Sequence, residues 1–402
     1  MKFLFKAKTE TGQERSGIVD ALDRDNAIRI LQSNGLVPFS VKEEESSPEW
    51  FRGIAKIWEG VSQKELMVVF RQLATLINAR VPMVSALDTL ADQTLNGYLR
   101  IVIKEIRDDV EDGASFSDSL EKHPSIFEPL MVNMIRAGEV SGTLNKSIEV
   151  VADNIEKNYQ LTARVKGALF YPGFVLSAAI IIGFLVITFI LPKLTGLIKD
   201  MGVVVPWYTS ALMWLGDFMN MYWWAVLLVI FAAIASFYYY INTDAGQADW
   251  NRIVLQLPIF GELMKYVYIV RFSENMSSLL NGGIPIVKAL IIVSDVTGNR
   301  VFRELVLQAA EEVKSGGAMS TVFIRSTVMP SIVPQMVKIG EESGSISSVL
   351  DGVASFYRSE VENITRNMTS LIEPILIVFL GIGVGIMVVG ILMPIYDIAG
   401  KL

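Results

Sequence analysis
Three uncharged stretches constrain this chain more than anything else in it: "GFVLSAAIIIGFLVITFIL" at 173–191, "YWWAVLLVIFAAIASFYYYI" at 222–241 and "PILIVFLGIGVGIMVVGILMP" at 374–394. At about 1.5 Å per residue, a helix of about 20 residues crosses the roughly 30 Å of hydrocarbon in a bilayer. Three transmembrane helices are expected, over 171–192, 222–242 and 373–396. The 51% hydrophobic content and positive mean hydropathy are high for a soluble protein and agree with this.

The opening "MKFLFKAKTETGQE" turns polar within a few residues. It has no apolar signal core or cleavage site, so the N-terminus is expected in the cytoplasm. Basic residues near the span ends agree: Lys157, Arg164, Lys166, Arg252, Arg358 and Arg366 fall inside, and Lys193, Lys199 and Lys401 outside. The connection 193–221 and the tail 397–402 are then extracytoplasmic, with Trp207, Tyr208, Trp214, Trp223 and Trp224 forming an interfacial belt.

Several chemistries are excluded early. With no cysteine there is no disulfide, thiolate nucleophile or zinc–thiolate site. The single histidine, His123, reads as a polar residue at a helix end before Pro124, and no metal or cofactor is expected. A net charge of −7 without a basic aromatic stripe argues against nucleic acid. The spans carry no ionisable group of the kind a pump needs; Glu373 sits at the border, where its counterpart is Tyr171. No nucleophile–base pair or paired carboxylates stand out, so no catalytic residue is expected.

The chain is duplicated. "VPMVSAL" at 81–87 answers "IPIVKAL" at 284–290, and "DGASFS" at 112–117 answers "GGAMST" at 316–321. "GEVSG" at 138–142 answers "GEESG" at 340–344, and Pro172 and Pro192 flank the first span as Pro374 and Pro394 flank the third. Each repeat is therefore a soluble part followed by a span. Inside the repeats the apolar period is helical: Leu66, Val69, Phe70, Leu73, Leu76 and Ile77 share one face behind a Ser62/Glu65 capping box. Leu99, Val102, Ile103, Ile106 and Val110 stripe another helix, stopped at Gly113, and a short helix starts at Ser115. A long helix begins near Leu144 and is expected to bend near Pro172. Residues 62–170 and 243–372 read as two cytoplasmic helical bundles.

Residues 1–45 differ. Two strands about Thr11-Gly12, a helix from Asp23 to Ser33, a stop at Gly35 and the strand "LVPFSV" make a small α/β appendage, tethered by the acidic linker 46–61. The fold expected is a mainly α membrane protein with two repeated cytoplasmic bundles, three transmembrane helices and this appendage.

The glycine–glutamate motif invites a phosphate-loop reading, which its spacing defeats. Three residues separate Gly138 from Gly142, Lys146 arrives late, and the copy at Gly340, Glu341 and Gly344 has no lysine. Both copies read as a structural turn in which glycine takes a left-handed conformation and Ser or Glu caps the next helix. Glu139 and Glu341 are also candidates to face a partner or an ion. Gly381 and Gly385, one helical turn apart, suit either close approach of another span or local flexibility.

With these features assembled, the chain resembles the inner-membrane platform protein of type IV pilus and type II secretion machines, the PilC/GspF family. The resemblance rests on "FKAKTETGQERSGIVDA", "RQLATLINARVPMVSAL" with its echo "LLNGGIPIVKAL", both glycine–glutamate motifs, and membrane entry at "ALFYPGF" and "LIEPILI". It implies a non-enzymatic protein of the bacterial or archaeal-type cytoplasmic membrane. Such proteins couple a cytoplasmic hexameric assembly ATPase to insertion or extraction of pilins or pseudopilins. The implied partners include other inner-membrane assembly proteins and further copies of the chain. The family commonly has glycine where Arg80 stands, which weighs against a left-handed turn in repeat one, whereas Gly283 keeps it in repeat two. The competing reading is a subunit of an oligomeric transporter or channel built from duplicated halves.

Overall fold
A computed structural model describes residues 2–9, 14–21, 24–33, 36–43, 60–193, 196, 206–258 and 260–399. The Thr11-Gly12 turn, Asp23, Gly35, most of the linker and residues 197–205 lie outside the described residues. The chain divides into two units, Met1–Gly60 and Val61–Leu402.

The first unit is a three-stranded antiparallel sheet of order β2-β1-β3, from β1 (Lys2–Thr9), β2 (Glu14–Asp20) and β3 (Leu36–Glu43), with helix α1 (Arg24–Ser33) between the last two in sequence. Pro38 donates no hydrogen bond, and it sits where a strand proline is tolerated, on edge strand β3 beside a register shift opposite Lys6 and Ala7.

The second unit is helical and built twice. Repeat one comprises α2 (Gln63–Asn78), α3 (Met83–Gln93), α4 (Gly97–Glu111), α5 (Phe116–Glu121), α6 (Pro129–Ser141) and α7 (Leu144–Leu185). Next come α8 (Trp207–Ile241) and α9 (Asp244–Gln256). Repeat two follows as α10 (Phe260–Asn281), α11 (Ile286–Val296), α12 (Arg300–Lys314), α13 (Met319–Ile324), α14 (Ile332–Ser343) and α15 (Ile346–Ala399). The first helix of each repeat packs on the last, α2 on α7 and α10 on α15.

Local chemistry sets the boundaries. Ser62 Oγ accepts from Glu65 N at 3.2 Å while Glu65 Oε2 accepts from Ser62 N at 2.8 Å, a capping box that starts α2. The helix then buries Leu66, Val69, Phe70, Leu73 and Ile77, with Leu76 half-buried. Leu99, Val102, Ile103 and Ile106 form the buried face of α4. These faces belong to one apolar core that runs through both repeats, and each fully buried Leu, Ile or Phe in it contributes about 1.5–3 kcal/mol. Rings fix the centre of each bundle: Phe70 meets Phe127 edge-on at 6.1 Å, and Phe272 meets Phe323 at 5.4 Å.

Helix α7 runs through Pro172 without interruption, and its hydrogen-bond pattern changes further on, at a π-helical turn over Val186–Ile190. A proline removes only one backbone donor, and a long helix keeps its remaining bonds around it. Leu144–Lys193 and Trp207–Ile241 are long and apolar enough to cross a membrane; in α15 the apolar run among described residues is Ile377–Ile386. Helix α8 begins at Trp207, so the second half of the connection expected over 193–221 is helical. Helical geometry lapses at Tyr222 (φ −117°, ψ 15°), at the end of a ring ladder from Trp214 through Phe218.

Candidate functional site
Each position of the repeated glycine–glutamate motif has a distinct task. Helix α6 ends as Thr143 N donates to Gly138 O (2.8 Å) and Gly142 N to Glu139 O (3.2 Å), the paired bonds of a Schellman stop. That geometry requires a left-handed residue, and Gly142 supplies it at φ +71°. In repeat two, Ser345 N donates to Gly340 O (2.9 Å) and Gly344 N to Glu341 O (3.4 Å), with Gly344 at φ +66°. The turn's N–H groups thus point back at helix carbonyls, the opposite of a phosphate cradle.

Gly138 and Gly340 are glycine for another reason. A Cβ on Gly138 would stand 2.1 Å from Ser147 Oγ, and one on Gly340 would stand 3.1 Å from Ile346 Cα. These positions let α6 lie against α7, and α14 against α15.

The glutamates reach backward along the chain, whereas the turn reading had Ser or Glu capping the helix that follows. Glu139 Oε1 accepts from Phe116 N at 2.6 Å, and Oε2 from Ser117 N at 3.1 Å and from Ser117 Oγ. Glu341 Oε1 accepts from Met319 N at 2.7 Å, and Oε2 from Ser320 N at 3.4 Å and from Ser320 Oγ. Each carboxylate therefore caps the first turn of a short helix, α5 or α13, where unpaired donors and the helix dipole favour negative charge. The short helices have too few turns to hold themselves, so the carboxylate ties each to the helix that leads into the long one. Sequence reasoning missed this partner because it lies about 22 residues upstream.

The same stop recurs twice more in each repeat. Gly113 (φ +95°) and Gly316 (φ +88°) end α4 and α12. At the end of α2 the left-handed residue is Arg80 itself, at φ +61°, matching Gly283 at +76° in repeat two. The left-handed turn is therefore kept in repeat one, contrary to what Arg80 suggested. Val81 N donates to Leu76 O (3.0 Å) and Arg80 N to Ile77 O (2.9 Å), and these bonds outweigh the side chain's steric penalty.

The remaining singled-out residues lie in the long helices. Pro172 is inside α7 and Pro374 inside α15. Among the described residues none approaches the Cβ position of Gly381 or Gly385 within 4 Å. Gly385 lines an apolar cleft of about 540 Å³ with Trp207, Tyr208 and Ala211 of α8, and Gly381 does not.

Between the repeats runs a polar seam that periodicity alone did not reveal. Asn154 Nδ2 on α7 donates to Asn275 Oδ1 on α10 at 2.9 Å, buried, and Arg271 Nη2 donates to Thr162 Oγ1 at 3.2 Å. Asn154, Asn275 and Arg271 line, with Glu128 and Asn158, a cavity of about 220 Å³, roomy enough for water. Burial pushes the Glu128 carboxyl up, opposed by Arg271, and pushes the Arg271 guanidinium down, opposed by Tyr268 and Glu128. The available signal was Arg271 itself, a charge inside the apolar run "YVYIVRF".

Among the described residues no group of three His, Asp or Glu is placed to hold a metal. The arrangement can brace helices; it offers no reacting pair.

Comparison with known proteins agrees with this duplicated architecture. Residues 69–192 and 272–394 each match the family described as type II secretion system (T2SS), protein F, and residues 1–42 match its N-terminal domain. The chain is 34% identical over 401 residues to the type IV pilus assembly protein PilC of Thermus thermophilus, covering 100% of this chain and 98% of that one. It is 32% identical over 403 residues to PilC of Myxococcus xanthus, covering 100% and 96%. To the type II secretion system protein F of Pseudomonas aeruginosa it is 27% identical over 398 residues, covering 98% of each. With two T2SSF repeats behind the matching N-terminal domain, and helices apolar enough to cross a bilayer, the chain is a membrane protein of the type II secretion protein F family, to which the type IV pilus PilC proteins also belong.

Proposed function
We propose that the chain is an inner-membrane platform of a type IV pilus or type II secretion machine, coupling a cytoplasmic hexameric assembly ATPase to insertion or extraction of pilins or pseudopilins. It spans the membrane three times, over 171–192, 222–242 and 373–396, with the N-terminal α/β module (1–45) and the bundles 62–170 and 243–372 in the cytoplasm. Other inner-membrane assembly proteins and further copies of the chain are its neighbours, with Gly381 and Gly385 as a packing surface. It catalyses no reaction of its own.

The observation that carries this reading is mechanical. In each repeat a carboxylate, Glu139 or Glu341, fastens a short helix to the helix preceding the long one, and the long helices α7 and α15 continue from bundle core into an apolar window without a break. A force on either bundle is thereby transmitted to a span rather than absorbed in a loop. The test is co-purification of the detergent-solubilised chain with the assembly ATPase of its own organism, with and without nucleotide, beside an ATP hydrolysis assay of the chain alone. A nucleotide-sensitive complex and no intrinsic hydrolysis is expected; hydrolysis by the chain, or no complex in any nucleotide state, refutes the proposal.

A further inference from the structure
The two repeats meet through different faces. Repeat one offers its last helices: α7 packs on α10 of repeat two, and α6 packs on α10 and α11. A two-fold relation would repeat these contacts in reverse, with α15 on α2 and α14 on α2 and α3. Among the described residues those helices do not pack together. The contact of α7 with α15 joins like with like and fits either relation, so the bundle helices decide. The seam is heterologous: a last-helix face meets a first-helix face. The other last-helix face, on repeat two, and the other first-helix face, on repeat one, have no such contact among the described residues.

The residues on these two faces are those of a contact. In the seam Arg271 donates to Thr162 and Asn154 to Asn275. With the spacings that relate Gly138 to Gly340 and Arg80 to Gly283, the counterparts are Val68 for Arg271, Ile364 for Thr162, Phe356 for Asn154 and Gln72 for Asn275. The Arg271–Thr162 pair thus becomes Val68 with Ile364. Both members are polar in the seam and both are apolar on the other faces, a paired change expected of residues that touch. Leu130, which lines the seam cavity, has Ile332 as its counterpart. Asn154 and Leu130 are buried, whereas Phe356 is 50% and Ile332 46% exposed, with Val68 40% exposed on the opposing face. Phe356 precedes the apolar run Ile377–Ile386 by about 30 Å of helix, so lipid does not account for its exposure. Arg71 and Arg358 are paired inside their own bundles, with Glu156 and Glu274, and neither is left over for this contact.

We propose that copies of this chain associate head to tail: the last-helix face of repeat two in one copy, with Ile332, Phe356 and Ile364, docks on the first-helix face of repeat one in the next, with Val68 and Gln72. The contact continues between chains the heterologous arrangement that the seam uses inside one chain. Both long helices run from bundle to apolar window in the same chain sense, which lets successive copies share one membrane. The inference rests on the proposed function only in placing further copies of the chain side by side, and it needs no ATPase.

The test uses the full chain, whose lack of cysteine makes engineered thiols specific. V68C and I364C are placed on differently tagged copies, co-expressed in membranes and treated with a short bismaleimide. A product carrying both tags is expected from the mixture, and no cross-linked product from either variant alone. Mass photometry of the detergent-solubilised chain reads association, with circular dichroism as the check on folding. The wild type is expected to form oligomers, and F356S to associate about ten-fold or more weakly through loss of a buried ring. No two-tag product, I364C linking to itself as a two-fold contact requires, a monomeric wild type whose Phe356 is then left for a different partner, or unchanged association in folded F356S each overturns the proposal. No ATPase is present, so these outcomes and the nucleotide-sensitive complex are read separately.

Discussion
Replacing Arg80 with glycine should stabilise the protein, although arginine is the natural residue. Arg80 sits at φ +61°, where the Cβ of an L-residue costs about 1–2 kcal/mol. Glycine removes that cost but adds about 0.5–1 kcal/mol of unfolded-state entropy, leaving a net gain of about 1 kcal/mol. Nothing on the other side of the ledger changes much: Arg80 is exposed, and the two bonds of the stop use backbone N–H groups that glycine also has. Spread over the helical unit Val61–Leu402, whose unfolding entropy is about 2.1 cal/mol/K per residue, the gain corresponds to a rise in Tm of about 1–2 °C. The mirror experiment is G283R, which places arginine in the equivalent conformation at φ +76° and should lower Tm by a similar amount. Both are read by thermal unfolding of the detergent-solubilised chain, followed by its helical circular dichroism. If R80G leaves Tm unchanged or lowers it while G283R is neutral, the argument that backbone geometry dominates at this stop is wrong.

Two further substitutions probe the joint and the seam. E139A and E341A each strip the first turn of a short helix of its carboxylate, and at about 1.5–3 kcal/mol for a charge-assisted bond the cost should be about 2–4 kcal/mol apiece. Limited proteolysis should open at α5 or α13 first, and unchanged stability and cleavage in both variants would leave the glutamates free for another role. E128Q tests the seam: because burial raises the folded pKa of Glu128 above its unfolded value, the stability tied to its proton is present in acid and lost as pH rises through the folded value. The Tm difference between E128Q and wild type should therefore be smallest below the ordinary carboxylate range and grow in favour of E128Q toward neutrality. A difference that stays flat between about pH 4 and 8 would exclude a titrating Glu128.

What could be read from the residues was what neighbours along the chain decide. The Ser62/Glu65 box, the faces of α2 and α4 and the stop at Gly113 depend on residues three to five positions apart, and helical period exposes them. The left-handed turn at Arg80 is hidden from residue type, because a propensity of about 1 kcal/mol points away from it and the backbone bonds that outweigh that propensity leave no mark in the sequence. Glu139 caps a helix upstream, whereas the motif alone offers Ser or Glu to the helix that follows, since nothing local distinguishes that helix from one a full helix away.

A comparison of the repeats also hides a feature that only their contacts disclose. In repeat one Arg71 on the first helix pairs with Glu156 on the last, and with Asp153 at 2.9 Å. In repeat two the first helix carries the acid, Glu274, and the last the base, Arg358, at the matching positions. Aligned residue by residue these positions look unrelated, yet the attraction is retained and its direction reversed. The reversal has a consequence for folding, because α2 and α10 have similar apolar faces and either could be offered the wrong long helix. A cross-repeat pairing would set Arg71 against Arg358 and Glu274 against Glu156, and like charges at a partly buried contact disfavour it. Identical pairs in both repeats would carry no such discrimination. The exchange of charge thus does for helix pairing what the apolar pattern cannot, since both repeats share that pattern: it tells each first helix which last helix is its own.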